Sequence, residues 1–312
     1  MPQSLHLVFC GTPQFAVPTL EKLAAAGFRI ALVVTQPDRP KGRGLEFVAS
    51  PVKESALKLR IPISQPDRIK TNEEFRTQLT VLKSDAIIVV GYGRLIPQWM
   101  LDLPRFGNIN LHASLLPKYR GAAPIQWAIA NGETITGVTT MRLDAGLDTG
   151  DILLQQELSI ASDDTAETIA ARLATTGADL MIETLRGLDA GTIQRRRQDD
   201  SQASLAPILK REDGLVDFRR SATEIFNRIR GFQPWPGAYT KFRGKNLQII
   251  NARPASEKFP PAELHVHEGR LLVGCGGSTS LELLEVQLEG KKRTPGRDFI
   301  HGYRTSPGEK LG

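Results

Sequence analysis

The chain has 312 residues, 40% of them hydrophobic and 24% charged, with a formal net charge of +6. That length argues for two domains rather than one core. The composition is that of an ordinary globular protein, and no apolar run approaches the roughly 18–20 residues that span a bilayer.

The opening Met1–His6 has no basic n-region and its apolar run stops after Cys10, so Leu5–Cys10 reads as a core strand, not a secretory leader. Cys10 and Cys275 lie too far apart to suggest a disulfide framework, which favours a reducing, cytoplasmic setting. After the turn Gly11-Thr12-Pro13, Pro18–Ala26 reads as a helix with Pro in its first turn and Gly27 as its stop. That turn is not Gly-x-Gly-x-x-Gly, so a nicotinamide oxidoreductase is disfavoured. Ile30–Thr35 is the next strand, and the basic loop 38–48 leads to a helix over Val52–Leu59. Ala86–Val90 and Ile109–His112 are apolar runs without polar alternation, the mark of buried strands. This alternation predicts an α/β fold: a Rossmann-like, mostly parallel sheet with ligands at the carboxyl ends of its strands.

Gly137–Leu143 and Ile152–Leu158 are further strands. A helix is expected from Thr165 to Arg186, with Asp164 and Glu167 as its capping box, Ile169, Leu173, Leu180 and Thr184 facing inward, and Gly187 ending it. Residues 190–207 are polar, include Arg195-Arg196-Arg197, and read as a linker between a domain over 1–189 and a second over 208–312. The second holds a short helix, Ala222–Ile229, then turn-punctuated strands at Tyr239–Phe242, Leu247–Asn251, Leu264–His267, Leu271–Gly274 and Leu281–Val286. Arg243-Gly244-Lys245 and Glu268-Gly269 suit hairpin turns, and the whole suits a small β-barrel.

Charge divides along the same line. Residues 1–206 balance 22 Lys and Arg against 22 Asp and Glu, while residues 207–312 carry 18 against 12. A neutral front that binds a small substrate and a basic rear that attracts a polyanion fit that split, although many small domains carry such an excess and bind nothing. His265-x-His267 offers two metal ligands on one strand face, but 5 His and 2 Cys supply no set of three or four, and no metal is expected.

The chemistry concentrates in Asn110-Leu111-His112-Ala113-Ser114-Leu115-Leu116-Pro117 and Asp144-Ala145-Gly146-Leu147-Asp148-Thr149-Gly150. On a strand, Asn110 and His112 leave the same face, so an amide donor sits beside a titratable imidazole. Asp148, on a Gly-rich loop, supplies a carboxylate that would fold back on them. An oxyanion donor, an acid/base and an orienting group suit acyl transfer without a covalent enzyme intermediate. Asn-x-His alone is more often a satisfied core pair; the Ser-Leu-Leu-Pro continuation and the acidic loop reverse that weighting. Asp144 competes with Asp148 for the carboxylate role and otherwise braces the loop.

These motifs resemble the signature of the folate-dependent formyltransferases, and the resemblance runs nearly end to end. It includes Phe9–Ala16, Thr35-Gln36-Pro37-Asp38-Arg39-Pro40, Arg120-Gly121-Ala122-Ala123-Pro124-Ile125-Gln126 and Ile229–Ala238. It implies transfer of the formyl group of 10-formyltetrahydrofolate to the α-amine of methionine on the initiator tRNA, by a monomer whose barrel has the OB topology. A sugar nucleotide or glycinamide ribonucleotide is the alternative acceptor. Asn110 would then donate to the oxyanion, and His112 would either donate to it as well or shuttle the proton to the leaving nitrogen. Asp148 would accept from the other imidazole nitrogen. Ser114, Leu115, Leu116 and Pro117 carry over to the folate site, with Tyr92 and the rest of Gly91–Pro97 lining the same cleft. Arg39, Lys41 and Arg43 would enter the tRNA acceptor stem. One departure stands out: where the family commonly has two lysines after Gly-Arg-Gly, this chain has Leu45-Glu46-Phe47, with Phe47 as a possible packing anchor for the loop.

Overall fold

A computed structural model describes residues 5–41, 46–306 and 308–312. The chain forms two compact units. The first runs up to Gly121 and adds Ile135–Ser159 and Ala170–Leu205; the second comprises Ala122–Thr134, Ile160–Ile169 and Ala206–Gly312. Residues 122–134 and 160–169 therefore lie with the second unit, although both precede residue 189.

In chain order, β1 (His6–Gly11), α1 (Val17–Ala25) and β2 (Arg29–Val34) fall close to their expected places. A short antiparallel hairpin follows, β3 (Arg39–Lys41) with β4 (Glu46–Val48), where the sequence suggested only a loop. Next come α2 (Pro51–Lys58), β5 (Ile63–Ser64), α3 (Glu73–Leu82), β6 (Ala86–Val90), α4 (Gln98–Leu101) and β7 (Asn108–His112). Then follow α5 (Pro124–Ala130), β8 (Ile135–Arg142), β9 (Ile152–Ser159) and α6 (Ala166–Asp189). α3 had a readable signal: Asn72 caps it by accepting the Phe75 N–H at 2.9 Å, ahead of Glu73 and Glu74 in the first turn.

The first unit is built on a seven-stranded sheet in the order β5-β2-β1-β6-β7-β8-β9. Pairing is parallel from β5 to β7, and β8 and β9 are added antiparallel. The chain steps from β1 outward to β2 and β5, then returns to place β6 on the other side of β1. That reversal is the switch point at which such sheets open a crevice beyond their carboxyl ends. β6 and β7 are buried along their whole length, as continuous apolar runs require.

α6 buries Ile169, Leu173, Leu180 and Thr184 as expected, each large apolar one contributing roughly 1.5–3 kcal/mol relative to exposure. Its ends differ from the sequence reading. The cap is one residue later than Asp164: Thr165 Oγ1 accepts from Thr168 N at 3.3 Å and Thr168 Oγ1 accepts from Thr165 N at 2.9 Å. Thr168 supplies the reciprocal bond that a Glu would give. Gly187 does not stop the helix, which runs to Asp189; Gly191, at φ +68°, takes the left-handed turn that ends it. Residues 194–205 lie against the first unit. Ile152 and Arg196 exchange backbone bonds of 2.8 and 2.9 Å, and Arg120 N donates to the Ser204 carbonyl at 2.8 Å.

The second unit carries α7 (Ala222–Gly231), β10 (Ala238–Phe242), β11 (Lys245–Ala255), β12 (Leu264–His267), β13 (Arg270–Cys275), β14 (Thr279–Leu288), β15 (Thr294–Pro295) and α8 (Gly296–Tyr303). The strands order as β10-β11-β14-β13-β12, with β15 on β14, and every pairing is antiparallel. Both expected hairpins form with positive φ at the two central residues, Arg243 and Gly244 in one, Glu268 and Gly269 in the other. That is the turn whose twist matches the strands. α7 begins with a capping box, Ser221 N donating to Glu224 Oε2 at 2.9 Å. Phe242, Leu247, Val273, Leu283 and Phe299 fill the core, and Phe242 meets Phe299 edge-on at 5.1 Å.

Candidate active site

Three polar side chains, Asn108, Asn110 and His112, share one face of β7 because they alternate along it. Their roles separate at once. Asn108 is fully buried and donates to the Met100 carbonyl at 2.8 Å. His112 is buried, and its Nε2 lies 2.9 Å from the Tyr119 carbonyl. Asn110 is 9% exposed, and no hydrogen bond among the described residues engages its amide. One amide thus anchors the strand and the next, a pleat closer to the carboxyl end, is available to a ligand.

The Tyr119 carbonyl can only accept, so Nε2 carries its hydrogen in that contact, and in the neutral ring the free lone pair is on Nδ1. Nδ1 faces Asp148 Oδ2 at 3.7 Å. This corrects the expected arrangement. A backbone carbonyl, not Asp148, holds the ring by hydrogen bond, and Asp148 stands at ion-pair distance from the other ring nitrogen. At 3.7 Å the contact is too long for a hydrogen bond, so Nδ1 keeps freedom to meet a substrate.

Asp148 is held from several sides. Its Oδ2 accepts the Gly121 N–H at 2.8 Å, and its backbone lies at φ +53°, uncommon for a residue with a side chain. The loop around it is braced by Asp144, whose carboxylate accepts from Gly146 N at 3.0 Å and from the Thr149 hydroxyl at 2.8 Å. Asp144 therefore shapes the loop and Asp148 is the carboxylate that meets the imidazole.

The segment after β7 divides between core and surface. Ser114 is fully buried, its hydroxyl donated to the Lys118 carbonyl at 2.6 Å. Leu116 packs with Met141 and Ile152, and its carbonyl accepts from Gln155 at 2.9 Å. Leu115 and Pro117 are half-buried. Tyr92 is buried in the first unit's core at the end of β6, and its hydroxyl has no partner among the described residues. Burial, with Cys10 as the second cause, pushes its pKa up. Gln36 Oε1, on the residues that follow β2, is likewise buried without a partner among the described residues.

Of the expected RNA-reading residues, Arg39 is exposed at the start of β3. Lys41 closes that strand, and Arg43 lies outside the described residues. Phe47 does not anchor the hairpin: it is 74% exposed. His265 stacks on Phe259 with ring centroids 3.9 Å apart, and no group of three or more His, Cys, Asp or Glu among the described residues could hold a metal ion. No helix there is long and apolar enough to cross a membrane.

What the residue pattern missed is the scaffold of the dyad: the Tyr119 carbonyl, the Gly121 N–H, Arg120 and Gln198. Backbone groups leave no side-chain signature, and Gln198 stands in a polar run that reads as solvated. The motif Arg120–Gln126 was visible, but not its purpose.

A family model described as formyl transferase matches residues 5–185, and one described as formyl transferase, C-terminal domain, matches residues 208–304. A methionyl-tRNA formyltransferase of Koribacter versatilis is 63% identical over 306 residues, 98% of each chain. That of Acidobacterium capsulatum is 60% identical over 310 residues, 99% of this chain and 100% of its own. Among solved structures, the sugar 3N-formyl transferase WlaRD superimposes with a TM-score of 0.65 at 19% identity, covering 93% of this chain and 100% of its own; at that identity the likeness concerns the fold.

Proposed function

The chain belongs to the formyl transferase family, and from that premise we propose how it formylates methionyl-initiator tRNA, with Asn110, His112 and Asp148 as the reacting-centre residues. The placement of Asn110 and His112 on one face of β7, with Asp148 Oδ2 3.7 Å from His112 Nδ1, carries the reading. The formyl donor is 10-formyltetrahydrofolate, which supplies the formyl carbon and the nitrogen that departs from it.

The attacking α-amine needs little help: a free α-amine titrates at about 7.7–8.0, and the neighbouring ester lowers that further. Asn110 donates its amide N–H to the formyl oxygen as negative charge grows there, an interaction stronger in the transition state than before it. His112 Nδ1 takes the proton the amine must lose and returns it to the departing nitrogen, so no net proton is consumed. Asp148, at 3.7 Å, stabilises the imidazolium while it exists. The Tyr119 carbonyl keeps Nε2 occupied, so the proton moves only at Nδ1.

Leu115 and Pro117 offer the donor an apolar wall, with Ser114 and Leu116 fixing the turn that presents them. The unpartnered Tyr92 hydroxyl and Gln36 Oε1 fit a polar heterocycle seated at the strand ends, because a ligand would satisfy groups that are costly to leave unmet. Arg39, Lys41 and Arg43 are the tRNA-contacting residues of the first unit. Residues 207–312, with 18 basic against 12 acidic side chains, supply the basic surface for the RNA backbone, and the OB-type closure of their strands belongs to the same proposal.

The test is incubation of the purified chain with initiator methionyl-tRNA and labelled 10-formyltetrahydrofolate. Label is expected on the methionyl nitrogen, and His112→Ala should slow turnover by roughly 10²–10⁴ with tRNA affinity kept within a few-fold. Label passing only to a sugar nucleotide or glycinamide ribonucleotide would overturn the substrate, and normal turnover in His112→Ala would remove the imidazole from the mechanism.

A further inference from the structure

We infer that Gln198, fixed by Arg120, is a positioning residue for Asp148, so that residues reaching past the apparent end of the catalytic domain hold the carboxylate of the reacting centre. The inference rests on the role proposed above for Asp148 and extends it to side chains that do not touch substrate.

Gln198 Nε2 donates to the carbonyl of Asp148 and to that of Gly150, each at 2.8 Å. Its Oε1 accepts twice from Arg120, from Nε at 3.0 Å and from Nη2 at 2.8 Å. Both amide protons and both acceptor positions are thereby used. The polarity of the amide is also fixed. Arg120 has only donors and the two loop carbonyls only accept, so a flipped amide would lose all four bonds. Arg120 and Gln198 are each 7% exposed. Arg120 is tied down in turn by Asp200 at 2.8 Å, and its own N–H by the Ser204 carbonyl at 2.8 Å.

This bracket closes on the residue that matters. Asp148 is held in the left-handed region, where a side-chain-bearing residue persists only if its surroundings over-determine it. Gln198 grips its backbone, and Gly121, the neighbour of Arg120, grips its carboxylate. Tyr119, on the other side of Arg120, orients His112. Three consecutive residues thus set both partners of the dyad, and the buried Gln198 amide keeps the loop seated on them. Releasing that amide lets the 148–150 backbone relax and the Oδ2–Nδ1 separation drift.

Displacements of about 1 Å at a reacting centre cost on the order of 10²-fold in rate. Gln198→Met, which keeps volume and removes both donors, should lower kcat by about 10- to 100-fold. KM for the formyl donor and for methionyl-tRNA should each stay within about threefold, since neither surface is altered and the loss belongs to the transition state. In an Asp148→Asn background, Gln198→Met should add less than about threefold, because a residue acting through Asp148 has nothing left to position. Arg120→Lys, which keeps the charge toward Asp200 but loses the fork on Oε1, should show the same kcat-selective loss and serves if Gln198→Met fails to fold.

Wild-type kcat in whichever folded variant is measured overturns the inference, as does a full multiplicative loss in the Asp148→Asn background or an equal loss in KM and kcat. A dead Asp148→Asn beside an unimpaired Gln198→Met overturns this inference alone. A fully active Asp148→Asn overturns the site reading and this inference together.

Discussion

The first unit joins its central strands in parallel and its proposed reacting-centre residues gather where β7 ends, while the second joins its strands antiparallel and turns back through hairpins. Parallel neighbours need crossovers, so groups adjacent in space come from distant stretches: residues 110–112, 119–121, 148–150 and 198–204 meet at one place. Antiparallel neighbours are close in sequence, and the Arg243-Gly244 and Glu268-Gly269 turns fix their registers locally. One unit concentrates buried polar contacts at a strand end, where each depends on the others. The excess of positive charge belongs to the C-terminal stretch that makes up most of the other unit, with 18 basic against 12 acidic residues over 207–312. Geometry should dominate the response of the first unit to substitution, and ionic strength that of residues 207–312.

The largest effect expected from this contrast is kinetic. Asn110→Ala should reduce kcat by on the order of 10²–10³ while the melting temperature moves little, because no described partner of that amide is left unmet. Stopped kinetics beside calorimetry decide it, and a loss of stability without a loss of rate would make Asn110 a core residue like Asn108.

Next is a matched pair of glycines. A Cβ at Gly150 would lie 1.8 Å from the Arg142 carbonyl oxygen, and one at Gly276 1.8 Å from that of Arg219. Each change to Ala should destabilise by ~1–3 kcal/mol. Only Gly150→Ala should also lower kcat at temperatures where the protein stays folded, since its loop carries Asp148. Equal activity losses in the two variants would break the distinction between the units.

A smaller effect tests the charge. Lys291, Lys292 and Arg293 are exposed between β14 and β15. Changing all three to Gln should shorten the slope of log affinity for tRNA against log salt by up to about 2, leaving formyl-donor KM unchanged. An unaltered slope would locate the phosphate footprint elsewhere.

The smallest concerns acid stability of the second unit. The Arg219 guanidinium, followed by its backbone N–H, holds the Asp217 carboxyl down at about 2. A depressed carboxylate contributes stability that is present above its ordinary value of about 3.9 and lost as pH falls through the folded value. The difference in melting temperature between the protein and Asp217→Asn should therefore be modest at pH 6, shrink as pH falls, and vanish below about 2. The Asp217 side chain is 38% exposed, so solvent screening keeps that difference small. A difference that persists in acid would point to lost packing instead of lost charge.

How much of this was legible follows the same division. The second unit's strands other than β15, and both hairpins, read directly from alternation and Gly-containing turns, because the signal and the contact lie within a few residues. In the first unit β6 and β7 read equally well as apolar runs, and Asn110 and His112 as same-face residues. Other features did not read: the cap of α6 moved to Thr165, Gly187 was passed by, and Phe47 stayed in solvent. Each depends on what lies alongside, which a local pattern does not encode.

Sequence by itself determined the alternation that makes a parallel sheet and the shared face of Asn110 and His112, since these follow from residue type and periodicity. Only the tertiary structure decided which imidazole nitrogen meets a main-chain carbonyl, and that the polar segment at 198–204 closes on the loop of Asp148. Both are settled by hydrogen bonds to main-chain groups, and a carbonyl or an N–H is the same at every position until the fold aims it.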